Sequence, residues 1–119
     1  MAVRPLIAGN WKMNMLKADG MALAKALAAY MLVERGLNMV VCPPAQLLAP
    51  VAGCLEGSML GLGGQDCHAD VFGAHTGEVS AAMLVDIGCG YVIVGHSERR
   101  AGHGESDAVV RAKAEAAHA

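Results

Sequence analysis

The fold of this chain is decided by one stretch, Tyr91-Val92-Ile93-Val94-Gly95-His96-Ser97-Glu98-Arg99-Arg100. Its first four residues are apolar without alternation, which is typical of a strand covered on both faces in a parallel sheet flanked by helices. Gly95 then lets the backbone turn, so His96 falls just past the carboxyl end of the strand. Ligands bind at that end in parallel α/β proteins. This favours an acid, base or hydrogen-bond donor role for His96, and the alternative is a cap on the next helical turn.

A second stretch near the N-terminus has the same pattern, Leu6-Ile7-Ala8-Gly9-Asn10-Trp11-Lys12-Met13-Asn14. A short apolar strand breaks at Gly9 into polar residues. Taken alone, Lys12 is most simply interpreted as a solvated loop lysine, because lysine is mostly exposed in folded proteins. The two stretches together predict polar side chains from different strands at one edge of a sheet.

The remaining chain alternates strands and helices, which predicts a parallel sheet built from four strand–helix units. The spacing predicts a helix over 17–35, a strand over 37–41, a helix over 46–55, a strand over 59–63, a helix over 81–87 capped by Ser80, a strand over 91–94, a turn over 97–100 and a helix over 105–117. A loop over 69–79 is long for a compact domain, which points to function.

Composition excludes several classes of function. The 119 residues carry a net charge of −2 with one Trp and one Phe, which disfavours nucleic-acid binding. Cys42, Cys54, Cys67 and Cys89 form no CxxC pair, so we expect reduced, buried thiols in a cytoplasmic protein. No apolar run reaches the length of a membrane span. We expect a single domain over 1–119 with no membrane or nucleic-acid partner, no metal and no cofactor.

The motifs Gly-Asn-Trp-Lys-Met-Asn at 9–14 and Val-Gly-His-Ser-Glu-Arg-Arg at 94–100 closely resemble those of the triosephosphate isomerase family. The barrel and the acid–base chemistry of that family are standard worked examples of the field. The resemblance covers essentially the whole chain. Since a complete (βα)8 barrel takes about 250 residues, it implies a (βα)4 half of a TIM barrel, the N-terminal one. It also implies the glycolytic and gluconeogenic interconversion of dihydroxyacetone phosphate and glyceraldehyde 3-phosphate.

The resemblance assigns roles to the residues that match the family's motifs. Lys12 would bind the substrate's phosphate and the developing oxyanion, Asn10 would orient the same oxygen, and His96 would be a neutral imidazole donor. Ser97, Glu98, Arg99 and Glu105 would belong to the polar network around the histidine and the interface.

The segment over 73–80 resembles the family's intersubunit loop, which makes Thr76 and Glu78 interface residues. From the residues alone, Glu78 can also be a charge near the N-terminus of the helix that Ser80 caps, and both interpretations can hold at once.

The resemblance also implies that parts of the catalytic machinery lie in the other half of the barrel. These are the glutamate base after strand six, the closing loop and the phosphate-binding turns after strands seven and eight. A positioned base contributes about 10² to 10⁴-fold in rate. We therefore expect absent or trace isomerase activity from this chain alone.

The two edge strands of a half barrel invite pairing. We expect a homodimer in which strand four of one copy pairs with strand one of the other, and Cys42-Pro43-Pro44 would then occupy the place of the base. A dimer through the loop, or a dimer of dimers, stays open. Two other functions also stay open: one part of a split isomerase, and a module that binds phosphate, sulfate or triose phosphate through Lys12 and the amides that begin at Ser97.

Overall fold

A computed structural model describes residues 3–119 and shows one parallel sheet in the order β1-β2-β3-β4, flanked by helices. This confirms the predicted (βα)4 half barrel. The elements are β1 (Leu6–Asn10), α1 (Lys17–Tyr30), β2 (Asn38–Cys42), a 3₁₀ turn (Ala45–Leu47), α2 (Leu48–Cys54), β3 (Gly61–Gly64), α3 (Ala81–Asp86), β4 (Tyr91–Val92), α4 (Ser97–His103) and α5 (Asp107–His118).

The register of the sheet brings the strand ends to one edge. In the first pair Asn10 lies opposite Cys42, and in the last pair Gly64 lies opposite Val92. Because all four strands are parallel, the residues that follow them emerge on the same side of the molecule. We call this side the carboxyl edge.

The sheet and the helices pack around a core of buried apolar side chains. They come mainly from α1, β2, α2, β3 and α3, and include Ala24, Val41, Leu47, Leu48, Val51, Leu62 and Leu84. Pro50 does not interrupt α2 because it is the third residue of that helix, where a backbone N–H has no partner within the helix.

Tyr91 packs against two glycines of β3. A Cβ atom at Gly61 would lie 3.1 Å from Tyr91 Cε1, and one at Gly63 would lie 3.2 Å from Tyr91 Cβ. These glycines therefore let the tyrosine lie against β3. Tyr91 itself is 46% exposed, so the strand predicted to be covered on both faces is covered only in part among residues 3–119.

Two helices differ from the sequence-based prediction at their ends. α1 ends at Tyr30 and not at residue 35, because the Glu34 carboxylate accepts hydrogen bonds from Gly36 N–H and Tyr30 O–H and closes a turn. α5 begins at Asp107, since the Ser106 hydroxyl accepts from Val109 N–H. Glu105, predicted as its first residue, turns instead toward Lys113 and Arg99.

The cysteines are mostly buried, as predicted. Cys42, Cys67 and Cys89 are buried, Cys54 is half-buried, and all four are free thiols. Burial, with a smaller effect of Cys89, raises the pKa of Cys42 to about 11. Across residues 3–119, no helix is long and apolar enough to cross a membrane.

Candidate active site at the carboxyl edge of the sheet

A cavity of about 400 Å³ opens at the carboxyl edge and is lined by the residues that the sequence singles out. Asn10 comes from the end of β1, Lys12 from the loop after it, and His96 from the N-cap of α4, four residues after β4 ends. Gln65 and Glu98 complete this side of the cavity. The structure therefore brings together the side chains of both quoted stretches.

Hydrogen bonds fix the imidazole of His96 in one neutral form. The Asn10 Oδ1 atom accepts from Lys12 N–H at 2.9 Å, so the amide nitrogen of Asn10 is the atom that faces His96 Nδ1, at 3.0 Å. Since that amide can only donate, Nδ1 accepts. The ring proton is then on Nε2, which donates to the Gln65 carbonyl at 2.7 Å. The Nε2–H of this tautomer is thus held by the protein's own backbone.

Lys12 adopts a backbone conformation that non-glycine residues rarely take, with φ of +55°. Two hydrogen bonds hold it: its N–H donates to Asn10 Oδ1, and its carbonyl accepts from Gln65 Nε2 at 2.8 Å. Such conformations cost about 1–3 kcal/mol and persist only where the surroundings enforce them. The side chain is 61% exposed, which leaves the ammonium accessible to a ligand.

Glu98 is the carboxylate nearest to these groups along the cavity wall. Its Oε2 atom lies 3.4 Å from Lys12 Nζ and 3.8 Å from His96 Nδ1. The pKa of Glu98 is lowered, chiefly by its own backbone N–H and further by the Ser97 hydroxyl and the Lys12 ammonium, and these effects together outweigh the opposing effect of burial.

Gly95 makes the turn between the fourth strand and α4 possible. Its φ is +70°, and a Cβ atom there would lie 2.8 Å from Val110 Cγ1. Both the conformation and the space exclude a larger residue. The turn thus sets His96 at the cavity.

A second charged group borders the same cavity, and it joins Arg99 and Glu105, which the resemblance places in a polar network, to Asp66 and Lys113. The Lys113 ammonium binds Asp66 Oδ1 at 3.0 Å and also the Glu105 carboxylate, and Arg99 Nε binds Glu105 at 2.9 Å and Asp66 at 3.2 Å. Burial alone would raise the pKa of Glu105, but hydrogen bonds from Lys113 and Arg99 outweigh it and lower that pKa. We call these four residues the Lys113 group. No local spacing joins Asp66 to Lys113, so only the fold reveals the pairing.

The three predicted interface residues lie in two different settings. Thr76 and Glu78 are exposed on the loop over 69–79, near the exposed apolar side chains of Val71 and Phe72. Ser80 caps α3 as predicted, with its hydroxyl accepting from Met83 N–H at 3.3 Å. Arg99 is half-buried and bound to carboxylates of its own chain.

Comparisons with known proteins agree with the motifs. A family model described as "Triosephosphate isomerase" matches residues 5–119. The triosephosphate isomerase of Afipia carboxidovorans is 59% identical over 115 residues, 97% of this chain and 46% of that protein. The Bradyrhizobium sp. (strain ORS 278) enzyme is 57% identical over 97% of this chain and 46% of its own length.

A solved structure shows the same similarity in three dimensions. The crystal structure of triosephosphate isomerase from Bartonella henselae superposes with a TM-score of 0.91 at 46% identity, over 98% of this chain and 48% of that one. The chain thus spans about half the length of the curated relatives that it matches.

Proposed function

Because this chain belongs to the triosephosphate isomerase family, we propose that it supplies the carbonyl-polarising side of a triose phosphate isomerase site. The observation that carries the proposal is the joint position of Asn10, Lys12 and His96 around one cavity at the carboxyl edge. These side chains come from opposite ends of the sheet, so their meeting depends on the whole fold. A phosphorylated keto or aldehyde sugar fits this chemistry.

Each of the three side chains contributes a different interaction to the proposed site. The accessible Lys12 ammonium attracts a phosphate and the negative charge that develops on a carbonyl oxygen. The Nε2–H of His96 is a neutral donor for the same oxygen, and it would have to leave the Gln65 carbonyl to reach it. Asn10 holds the other ring nitrogen and so orients the imidazole.

Proton transfer between two adjacent carbons also needs a base. Among residues 3–119, the carboxylates that line the cavity are Asp66, Glu78 and Glu98. Asp66 is bound by Lys113 and Arg99, and Glu98 is paired with Lys12 and has a lowered pKa, which makes it a weaker base. Glu98 does line the cavity, a position that the sequence did not suggest. We propose that these residues alone give absent or slight isomerisation.

We further propose that the half barrel associates through its edge strands. Leu6 and Ile7 of β1 are 49% and 48% exposed, and Tyr91 of β4 is 46% exposed. Exposed apolar residues on open edge strands favour pairing with another strand. A second copy could close an eight-stranded barrel by pairing its β1 with β4 of the first copy. Cys42-Pro43-Pro44 of the second copy would then lie at the position of the base.

A second candidate is a split isomerase, in which another (βα)4 unit supplies the glutamate and the closing loop. The strained backbone of Lys12 favours it, because a purely structural half barrel has no need to hold that lysine at positive φ. The two candidates share the same site residues and differ in the partner.

One experiment separates the two candidates. The purified chain is assayed for triose phosphate isomerase activity alone and after mixing with the C-terminal half of the Afipia carboxidovorans enzyme, and its mass in solution is measured by light scattering. We expect a near-background rate and a dimer for the chain alone. A rise in rate on mixing supports the split isomerase, and no rise supports the structural half barrel.

The matched variants are Lys12→Ala and Lys25→Ala, since Lys25 is an exposed lysine on α1, away from the cavity. Any genuine activity should disappear in the first and persist in the second. Activity of the chain alone that Lys12→Ala removes would contradict the assignment of a missing base. Equal rates in all three proteins would identify a contaminating host enzyme, and a strictly monomeric chain would exclude the edge-paired dimer.

A further inference from the structure

The loop after β3 brings two histidines and an aspartate together away from the cavity at the carboxyl edge. His68, Asp70 and His75 each offer one ligand atom, and these atoms lie within 4.8 Å of one another. The Asp70 Oδ2 atom is 2.8 Å from His75 Nε2, and the imidazoles of His68 and His75 stack with ring centroids 3.9 Å apart. The triosephosphate isomerase chemistry proposed above uses none of the three.

The chain holds one member of this cluster in a fixed place. The backbone N–H of His68 donates to the Val79 carbonyl at 2.8 Å, and His68 forms a β-bridge with Ser80. Ser80 in turn caps α3, so the base of the loop is anchored to a helix. His75 and Asp70 are exposed on the part of the loop that folds back onto this anchor. The three side chains are therefore gathered before any ligand arrives.

We propose that His68, Asp70 and His75 form a binding site for a divalent transition-metal ion, with Zn²⁺ as the best match. Two imidazoles and one carboxylate are a ligand set that zinc accepts, with water in the remaining position. The ion would replace the proton shared between His75 and Asp70. It would tie residues 68 and 75 together and so fix the loop that carries Thr76.

The distances allow the site with small movements. Tetrahedral zinc with bonds of about 2.0–2.1 Å holds its ligand atoms about 3.3 Å apart. The 2.8 Å pair must open slightly and no pair must close by more than about 1.5 Å, which an exposed loop permits. The hydrogen bond from Asp70 N–H to His68 Nδ1 must also be released, since binding at either ring nitrogen requires it.

The neighbouring thiol does not compete for the ion. Cys67 precedes His68 in the chain but is buried, and its Sγ donates to the Lys113 carbonyl at 3.7 Å. It therefore lies away from the solvent side on which His75 and Asp70 are exposed. Cys54 is the more accessible thiol and serves as a control below.

The test is zinc binding to the whole chain, measured by competition with a chromophoric chelator in a phosphate-free buffer. We expect one Zn²⁺ per chain and a higher melting temperature with zinc. His75→Ala and His68→Ala should each weaken binding by tenfold or more and abolish the rise in melting temperature. His118→Ala, which removes an exposed histidine at the end of α5, should change the affinity less than twofold.

Asp70→Asn keeps the test valid if a histidine variant does not fold. It keeps the size of an exposed side chain and removes only its charge. It should also weaken zinc tenfold, with an unchanged circular dichroism spectrum in chelator. The proposal is overturned if the parent binds no zinc, or if His118→Ala weakens binding as much as His75→Ala. It is equally overturned if binding survives His75→Ala and is lost in Cys54→Ala.

Discussion

Two charged groups border the same cavity, and they differ in how they are held. In the Lys113 group the lysine and Glu105 side chains are only 6% and 5% exposed, whereas Lys12 and Glu98 are 61% and 49% exposed. Buried charges must be fully paired because removing one partner leaves the others uncompensated. An exposed pair is weak and easily exchanged for a ligand. The buried group therefore fixes the wall of the cavity, and the exposed pair leaves the ammonium of Lys12 accessible to a ligand.

The strongest test of this difference is Lys113→Ala. Removing the ammonium leaves Glu105 buried with Arg99 as its remaining partner, and Glu105 Oε1 already lacks a hydrogen-bond partner. We expect the free energy of unfolding in urea to fall by about 3 kcal/mol. Lys25→Ala, at an exposed position on α1, is the matched control and should change it by less than about 0.5 kcal/mol. Similar losses in both variants would show that the Lys113 group does not stabilise the fold.

A second prediction concerns Gly95, which forms the turn that places His96 at the cavity. Gly95→Ala introduces a Cβ atom at positive φ and 2.8 Å from Val110 Cγ1. We expect it to lower the free energy of unfolding by about 2 kcal/mol.

Gly102→Ala is its matched control, because a Cβ atom there meets nothing within 4 Å and the residue lies in α4. Alanine favours helix over glycine, so that variant should gain roughly 0.5 kcal/mol. Equal changes in the two variants would mean that the turn at Gly95 is not strained.

These two regions also show how far the sequence could predict the structure. The positions of Asn10, Lys12 and His96 after apolar segments were predictable, because an apolar run that stops at a glycine is a local pattern in the sequence. Gln65 follows β3 in the same way, yet its bonds to the Lys12 and Cys42 carbonyls depend on a neighbouring strand. The pairing of Asp66 with Lys113 spans 47 residues and has no periodic signal at all.

A third, smaller effect is the change in the free energy of unfolding at acidic pH. The folded pKa of Glu105 is below its ordinary value of 4.5. Such a carboxylate contributes stability above its unfolded pKa, and this contribution is lost as the pH falls through the folded pKa. The advantage of the parent over Glu105→Gln should therefore be full at pH 7 and shrink below about pH 4.5, by urea unfolding at each pH. An advantage that stays constant down to pH 3 would contradict the depressed pKa.

Lys113 acts at the alkaline end: burial alone would lower its pKa, but the hydrogen bonds that its ammonium donates to Glu105 and Asp66 outweigh burial and raise that pKa. Its contribution is complete below its ordinary pKa of 10.5 and is lost only as the pH rises through the higher folded value. The Lys113 group therefore stays charged and stabilises the fold across the whole neutral pH range. Glu98, at the exposed pair, also has a lowered pKa and stays charged at neutral pH, where it competes with any anion for Lys12.

That competition gives the smallest and most specific prediction. Glu98→Gln removes the negative charge 3.4 Å from Lys12 Nζ and should tighten the binding of inorganic phosphate about two- to fivefold, measured by isothermal titration. The melting temperature should move by at most about 3 °C, because exposed pairs contribute little to stability. Glu56→Gln removes the same charge from an exposed residue that does not line this cavity, so it controls for net charge. Equal tightening in both variants would show that phosphate responds to overall charge and not to the Glu98 carboxylate beside Lys12.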